Sequence, residues 1–131
     1  MGIEDLRDYR RLCDKQRDFE ARKEALFERA TSVTQQLSFA TAKSGERDKL
    51  SRYVADLDEL DKALTEAVIA AERKRQEIER AIDRLHGPER DVLELRYIQG
   101  LSWRQIAKRL HFSEKHPYYL HKAALKKLSW Y

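Results

Sequence analysis

Apolar residues return at every seventh position through the middle of the chain. Leu50, Leu57, Leu64, Ala71, Ile78 and Leu85 hold that step, and Tyr53, Leu60, Ala67 and Ala81 fill a second seam at alternating spacings of three and four. Lys74 is the one charged residue in the second seam, and the positions between the seams are mostly charged. Side chains so spaced share one stripe of an α-helix, which predicts a long helix over 50–85 packed lengthwise against another helix. At 1.5 Å per residue it would run roughly 54 Å. His86-Gly87-Pro88 predicts its end, because glycine suits a left-handed cap and proline cannot continue the helix.

Upstream, Leu12, Phe19, Leu26 and Val33 keep a seven-residue step beside Leu6, Cys13 and Phe27, which predicts a helix from Ile3 to about Ala30. Its second seam is poor, since Gln16 and Lys23 stand where apolar residues belong. The stretch TSVTQQLSFATAKSGERDK is rich in Ser and Thr, contains Gly45 and has no sustained period. Residues 31–48 therefore read as the loop of a helical hairpin or as a partly mobile crossover. Pairing of the two helices within one chain and pairing between chains both satisfy the heptads.

After Pro88 the period shortens into three brief helices. Val92, Leu93, Leu95 and Tyr97 suit the first, ending at Gln99-Gly100. Ser102 followed by Gln105 is a capping box opening the second, whose apolar face is Ile106, Ala107 and Leu110. His111-Phe112-Ser113 is the turn, with Ser113 able to cap a third helix that buries Leu120, Ala124, Leu125 and Leu128. A capped helix, a short turn and a second amphipathic helix make a helix-turn-helix. The expected fold is all-α: a long helical hairpin or coiled-coil stem over 1–85, then a helix-turn-helix head over 86–131.

Charge identifies the partner that such a head would meet. Residues 1–85 carry 18 Lys/Arg against 19 Asp/Glu, whereas 86–131 carry 9 against 4 and all four histidines. A basic C-terminal third on a nearly neutral body is an electrostatic footprint for a polyanion, here double-stranded DNA. In a helix-turn-helix the first helix of the pair crosses the phosphate backbone, where Arg104 and Lys108 can pair with phosphates and Ser102 and Trp103 lie at the helix start. The following helix enters the major groove. Its outward residues Glu114, Lys115, His116, Tyr118, Tyr119 and Lys122 are the candidates for base and flanking phosphate contact.

The remaining composition mostly excludes. At 38% charged residues and a mean hydropathy of -0.81, one large core is not expected, while 41% hydrophobic residues exceed what a disordered chain carries. Cys13 is the only cysteine, so neither an internal disulfide nor a Cys-rich zinc site is expected. His111, His116 and His121 are five apart and do not share a helix face as an i, i+4 metal pair would. Asp56, Asp58, Glu59 and Asp61 spread over different faces of their helix, and the run Glu72 to Arg75 reads as a solvated face. No Gly-rich phosphate loop or nucleophile with a nearby base occurs, so the expectation is no enzyme, no cofactor and no metal. No apolar run of about eighteen residues and no signal-peptide core in MGIEDLRDYR point to a soluble, cytoplasmic protein with no membrane partner.

RDVLELRYIQGLSWRQIAKRLHFS…HKAALKKL resembles region 4 of bacterial sigma factors, the module that reads the upstream promoter element. The form RYIQGLSW-QIA, with Trp103, is closer to phage and prophage regulators of the ArpU and RinA type, which the RATSVTQQLS segment and the heptad helix also fit. The resemblance implies sequence-specific DNA binding in control of phage late genes, or of a neighbouring host gene, in a bacterial host cell. The heptad stem is expected to form a homo-oligomer or to contact RNA polymerase. This chain departs from the sigma pattern at Pro117, where a branched aliphatic is usual, so the third helix is expected to start late with Pro117 in its first turn. It departs again at Tyr118 and Tyr119, where sigma factors usually place Arg or a polar base-reader. Two competing readings are a small-terminase-like packaging subunit, whose head is usually N-terminal, and a sigma-like adaptor that binds polymerase or a regulator.

Overall fold

The computed structural model describes residues 1–39 and 44–130, whose regular elements are all helices, with no strand among them. Helix α1 spans Ile3–Phe39, α2 Ser44–Ile82, α3 Pro88–Leu93, α4 Trp103–Leu110 and α5 His116–Leu128. Glu94–Ile98 continues α3 as one π-helical turn. The all-α expectation holds. The loop expected over 31–48 does not: α1 runs on to Phe39 and α2 begins at Ser44, and residues 40–43 lie outside the described residues. The threonines that suggested a loop turn their hydroxyls back into the helix. Thr31 donates to the Phe27 carbonyl and Thr34 to that of Ala30, both at 2.9 Å. Val33 extends the seven-residue step and is buried.

The chain forms two compact units. Asp14–Ile69 is a helical hairpin. Leu26 of α1 and Leu60 and Ala63 of α2 line one cleft, while Ala30, Val33 and Ala67 are buried. Lys23, which spoiled the second seam of α1, sets its Nζ 2.6 Å from the Asp61 carboxylate of α2, so the mismatch is a cross-helix ion pair.

The other unit joins Met1–Cys13 to Ala70–Tyr131, so the compact unit holding the head includes both ends of the stretch read as stem. Leu6 and Tyr9 of α1 and Ala71, Ile78 and Ile82 of α2 share a core with Leu93, Tyr97, Ala124, Leu128 and Trp130. Lys74, the heptad intruder, reaches Asp5 of α1 at 3.1 Å, and Arg75 pairs with Glu72 and Glu79. The run Glu72 to Arg75 is therefore only partly a solvated face. The Gly2 backbone N–H and the Lys74 ammonium hold the Asp5 carboxyl below the usual carboxylate range.

Helix α2 closes at Ile82, three residues before the expected end. The Leu85 N–H donates to the Ile82 carbonyl at 2.9 Å, and Leu85 leaves the helix yet stays buried. Gly87, at φ 65° and ψ -144°, consequently leads into α3 rather than closing α2. That backbone conformation is open to glycine and costly for other residues. Pro88 follows in the first turn of α3, where its missing N–H is not needed.

Candidate nucleic-acid interface

Ser102 and Gln105 form the expected capping box. Ser102 Oγ accepts from the Gln105 backbone N–H at 3.2 Å, and Gln105 Oε1 accepts from the Ser102 N–H at 2.9 Å. Ile106 and Ala107 are buried, and Leu110 is half-buried. The arrangement turns Arg104 and Lys108 outward. Helix α4 ends at His111 in the left-handed conformation, φ 60°, and the Phe112 N–H donates to the Ala107 carbonyl.

The turn is longer than His111-Phe112-Ser113. Helix α5 starts at His116 with Lys115 at the cap position, and no side chain caps it. Ser113 contributes its backbone carbonyl, which accepts from the His116 N–H at 3.2 Å. Proline explains the correction. A helix capped at Ser113 would place Pro117 where an N–H must reach the Ser113 carbonyl, whereas a start at His116 places it in the first turn. Pro117 is fully buried there. The late start foreseen from Pro117 is thus observed, and Ser113 as a side-chain cap is not.

From that start, Lys115, His116, Tyr118, Tyr119 and Lys122 are exposed, and Pro117, His121, Ala124 and Leu128 face inward. Tyr118 and Tyr119 are 49% and 60% exposed, large fractions for aromatic side chains. Lys122 Nζ lies 6.0 Å from the Tyr118 ring centroid. Glu114 lies 3.5 Å from Arg104, with both side chains open to water, so their attraction is weak and leaves Arg104 free to exchange partners. His116 packs edge-on to Phe112 at 4.6 Å between ring centroids.

Trp103 is half-buried and packs within the head. The Arg96 guanidinium sits 4.4 Å from the centre of its ring, and Tyr118 and His121 meet it edge-on at 5.9 and 4.8 Å. Arg96 also donates to the Leu101 carbonyl at 3.1 Å. His121 is buried, with Nε2 2.7 Å from the Tyr97 hydroxyl. Burial first, then the positive charges of Arg96 and Arg7, push its pKa down to about 4, so it is neutral at neutral pH. Burial raises that of Tyr97.

Sequence reasoning gave no role to Arg96 or to Arg10 of α1. Arg96 stands seven residues before Trp103 in sequence, and the fold brings its guanidinium over that ring. Arg10 reaches the Tyr97 and Ile98 carbonyls from 87 and 88 positions away, which no local pattern signals. Among the described residues no group of three or more His, Cys, Asp or Glu could hold a metal ion. Asp61 and Asp58 of the acidic run pair with Lys23 and Lys62.

Residues 75–128, from the last turns of α2 through α5, match the family model of sigma-70, region 4. The head is a sigma-region-4-like helix-turn-helix. Comparison with curated proteins and with solved structures gives no match. Among the described residues no helix is long and apolar enough to cross a membrane.

Proposed function

We propose that this chain is a sequence-specific double-stranded DNA-binding transcriptional regulator of phage or prophage type, read through the head over 86–131. One observation carries the reading: within a sigma-70 region 4 match, α4 is capped and basic outward, and α5 with its cap residue presents Lys115, His116, Tyr118, Tyr119 and Lys122 to solvent. Arg104, Lys108 and Lys122 serve as phosphate contacts, with Ser102 and Trp103 at the start of α4 and Glu114 at the turn flanking them. Lys115, His116, Tyr118 and Tyr119 face the base edges. Sigma region 4 domains bind DNA and RNA polymerase, and polymerase is the second partner proposed here. The hairpin over 14–69 is proposed to associate with further copies, on the strength of its heptads and of exposed Phe27, Val54 and Val68.

The test is selection from random DNA with the wild type, Tyr118→Ala and Pro117→Val, followed by salt titration. Alanine at Arg104, Lys108 or Lys122 is expected to weaken binding to all sequences and lower the salt slope by about one. Tyr118→Ala is expected to change the preferred site at a cost of about 1–3 kcal/mol. Identical preferred sites for all three proteins would remove α5 as the reading element. The adaptor reading would then stand. An apolar cleft of about 400 Å³ lined by Ile3, Ala123, Leu125 and Trp130 and bordered by Lys122 and Lys126 supports it.

A further inference from the structure

The π-helical turn and the left-handed Gly100 leave an unusual helix end. The Gln99 N–H returns to the Glu94 carbonyl and the Leu101 N–H to that of Leu95, so the carbonyls of Tyr97 and Ile98 point out of the ladder. Arg10 of α1 meets them: its Nη1 lies 3.4 Å from each oxygen. Among the described residues no carboxylate pairs with Arg10, and its charge complements the negative end of the helix. The same guanidinium lies flat against Gly100. A β-carbon there would sit 2.6 Å from Nη2 and 2.7 Å from Cζ, closer than real contacts allow. Two residues after Gly100 comes Ser102, the cap of α4.

We infer that Arg10 is a positioning residue for DNA recognition: through the Tyr97 and Ile98 carbonyls and Gly100 it fixes the turn that sets where the N-terminus of α4, with Ser102, Trp103 and Arg104, meets the phosphate backbone. The inference rests on the DNA-binding reading, and it assigns a role to a helix outside the region that matches the sigma family. Arg10 does not itself touch DNA. Its effect on binding is therefore independent of salt, and α1 is part of the reading head.

The experiment compares the full chain with Arg10→Ala, Gly100→Asn and the double variant. Asparagine tolerates the left-handed backbone but carries the β-carbon that displaces Arg10. Arg10→Ala should weaken binding to the preferred site about tenfold, the scale of one charge-assisted hydrogen bond, here shared between two part-buried carbonyls, with the salt slope unchanged. Gly100→Asn should do the same, and in the Arg10→Ala background it should add less than about twofold, because the clash is gone. In free protein, both single variants should shift the Trp103 indole N–H resonance and leave that of Trp130 in place. A salt slope lowered by about one would make Arg10 a direct phosphate contact and overturn the proposal. Additive effects, or an unmoved Trp103 resonance, would overturn it as well. Unfolding of both single variants, seen as loss of the Trp130 resonance too, would make Arg10 a folding determinant and equally overturn it. Failure of the wild type to bind any DNA would instead overturn the DNA-binding reading, and the Trp103 shift would still test the clamp.

Discussion

Acidification should destabilise the head unit through one residue, His121. Its side chain is almost fully enclosed, its Nε2 is matched to the Tyr97 hydroxyl, and its charged neighbours Arg96 and Arg7 are both positive. The folded unit therefore resists protonation down to about pH 4, whereas the unfolded chain takes up the proton near the ordinary value of 6.5. Between those values the unfolded chain binds the extra proton, so stability is full above the higher one and is lost as pH falls toward the lower. A drop from 6.5 to about 4 corresponds to about 3 kcal/mol, a large share of the stability of a small domain. The assay is urea unfolding followed by tryptophan fluorescence, which reads this unit because Trp103 and Trp130 are the only tryptophans and both belong to it. Carboxylates titrate in the same range, so the comparison is with His121→Gln, which cannot titrate. From neutral pH to about pH 4, the wild type should lose about 3 kcal/mol more than the variant. Equal losses would refute the argument.

Three further outcomes are expected. Ser102→Ala should cost about 1 kcal/mol by urea midpoint, and Ser102→Asp should restore most of it; an unchanged midpoint in the alanine variant would mean that the capping box contributes nothing. Removing residues 86–131 should abolish DNA binding and leave the 14–69 hairpin helical, while amides near Leu6, Tyr9, Ile78 and Ile82 exchange quickly for want of their core partners; a fragment over 1–85 that bound DNA as tightly as the whole chain would show the head to be misassigned. Leu57→Asp with Leu64→Asp should lower the melting temperature of the hairpin. Both leucines are half-buried, so each contributes less than the roughly 1.5–3 kcal/mol of full burial; unchanged helicity, mass and melting temperature would count against a packed hairpin.

The parts of this chain readable from sequence are those whose causes are local. Ser102 and Gln105 cap α4 from three residues apart, and Pro117 dictates the start of α5 through its own missing N–H. The heptads survive as shielded positions along α2, and even Leu85 keeps its burial after leaving the helix. What stayed hidden depends on distant partners or on competing uses of one side chain. Lys74 and Lys23 read as faults in apolar seams because Asp5 and Asp61 lie on the other helix. Thr31 and Thr34 read as loop residues because a hydroxyl serves a turn or a helix equally well. The π-turn has no periodic signature of its own, so neither the exposed Tyr97 and Ile98 carbonyls nor their need for Arg10 could be foreseen.

A unit assembled from segments far apart in sequence also has consequences for how it is made. The 14–69 hairpin draws on neighbours in sequence and can form while synthesis is still under way, since local contacts are the first to repay the entropy of ordering. The head unit waits. Leu6, Tyr9 and Arg10 are made before the hairpin, but their partners Tyr97, Ala124, Leu128 and Trp130 emerge only after it. The first turns of α1 must remain unburied until α5 has been made, so a chain stalled before α5 would expose Leu6, Tyr9, Ile78 and Ile82 together. Folding of the head unit is thereby tied to synthesis of α5, and products truncated before it should be recognised as unfolded and cleared.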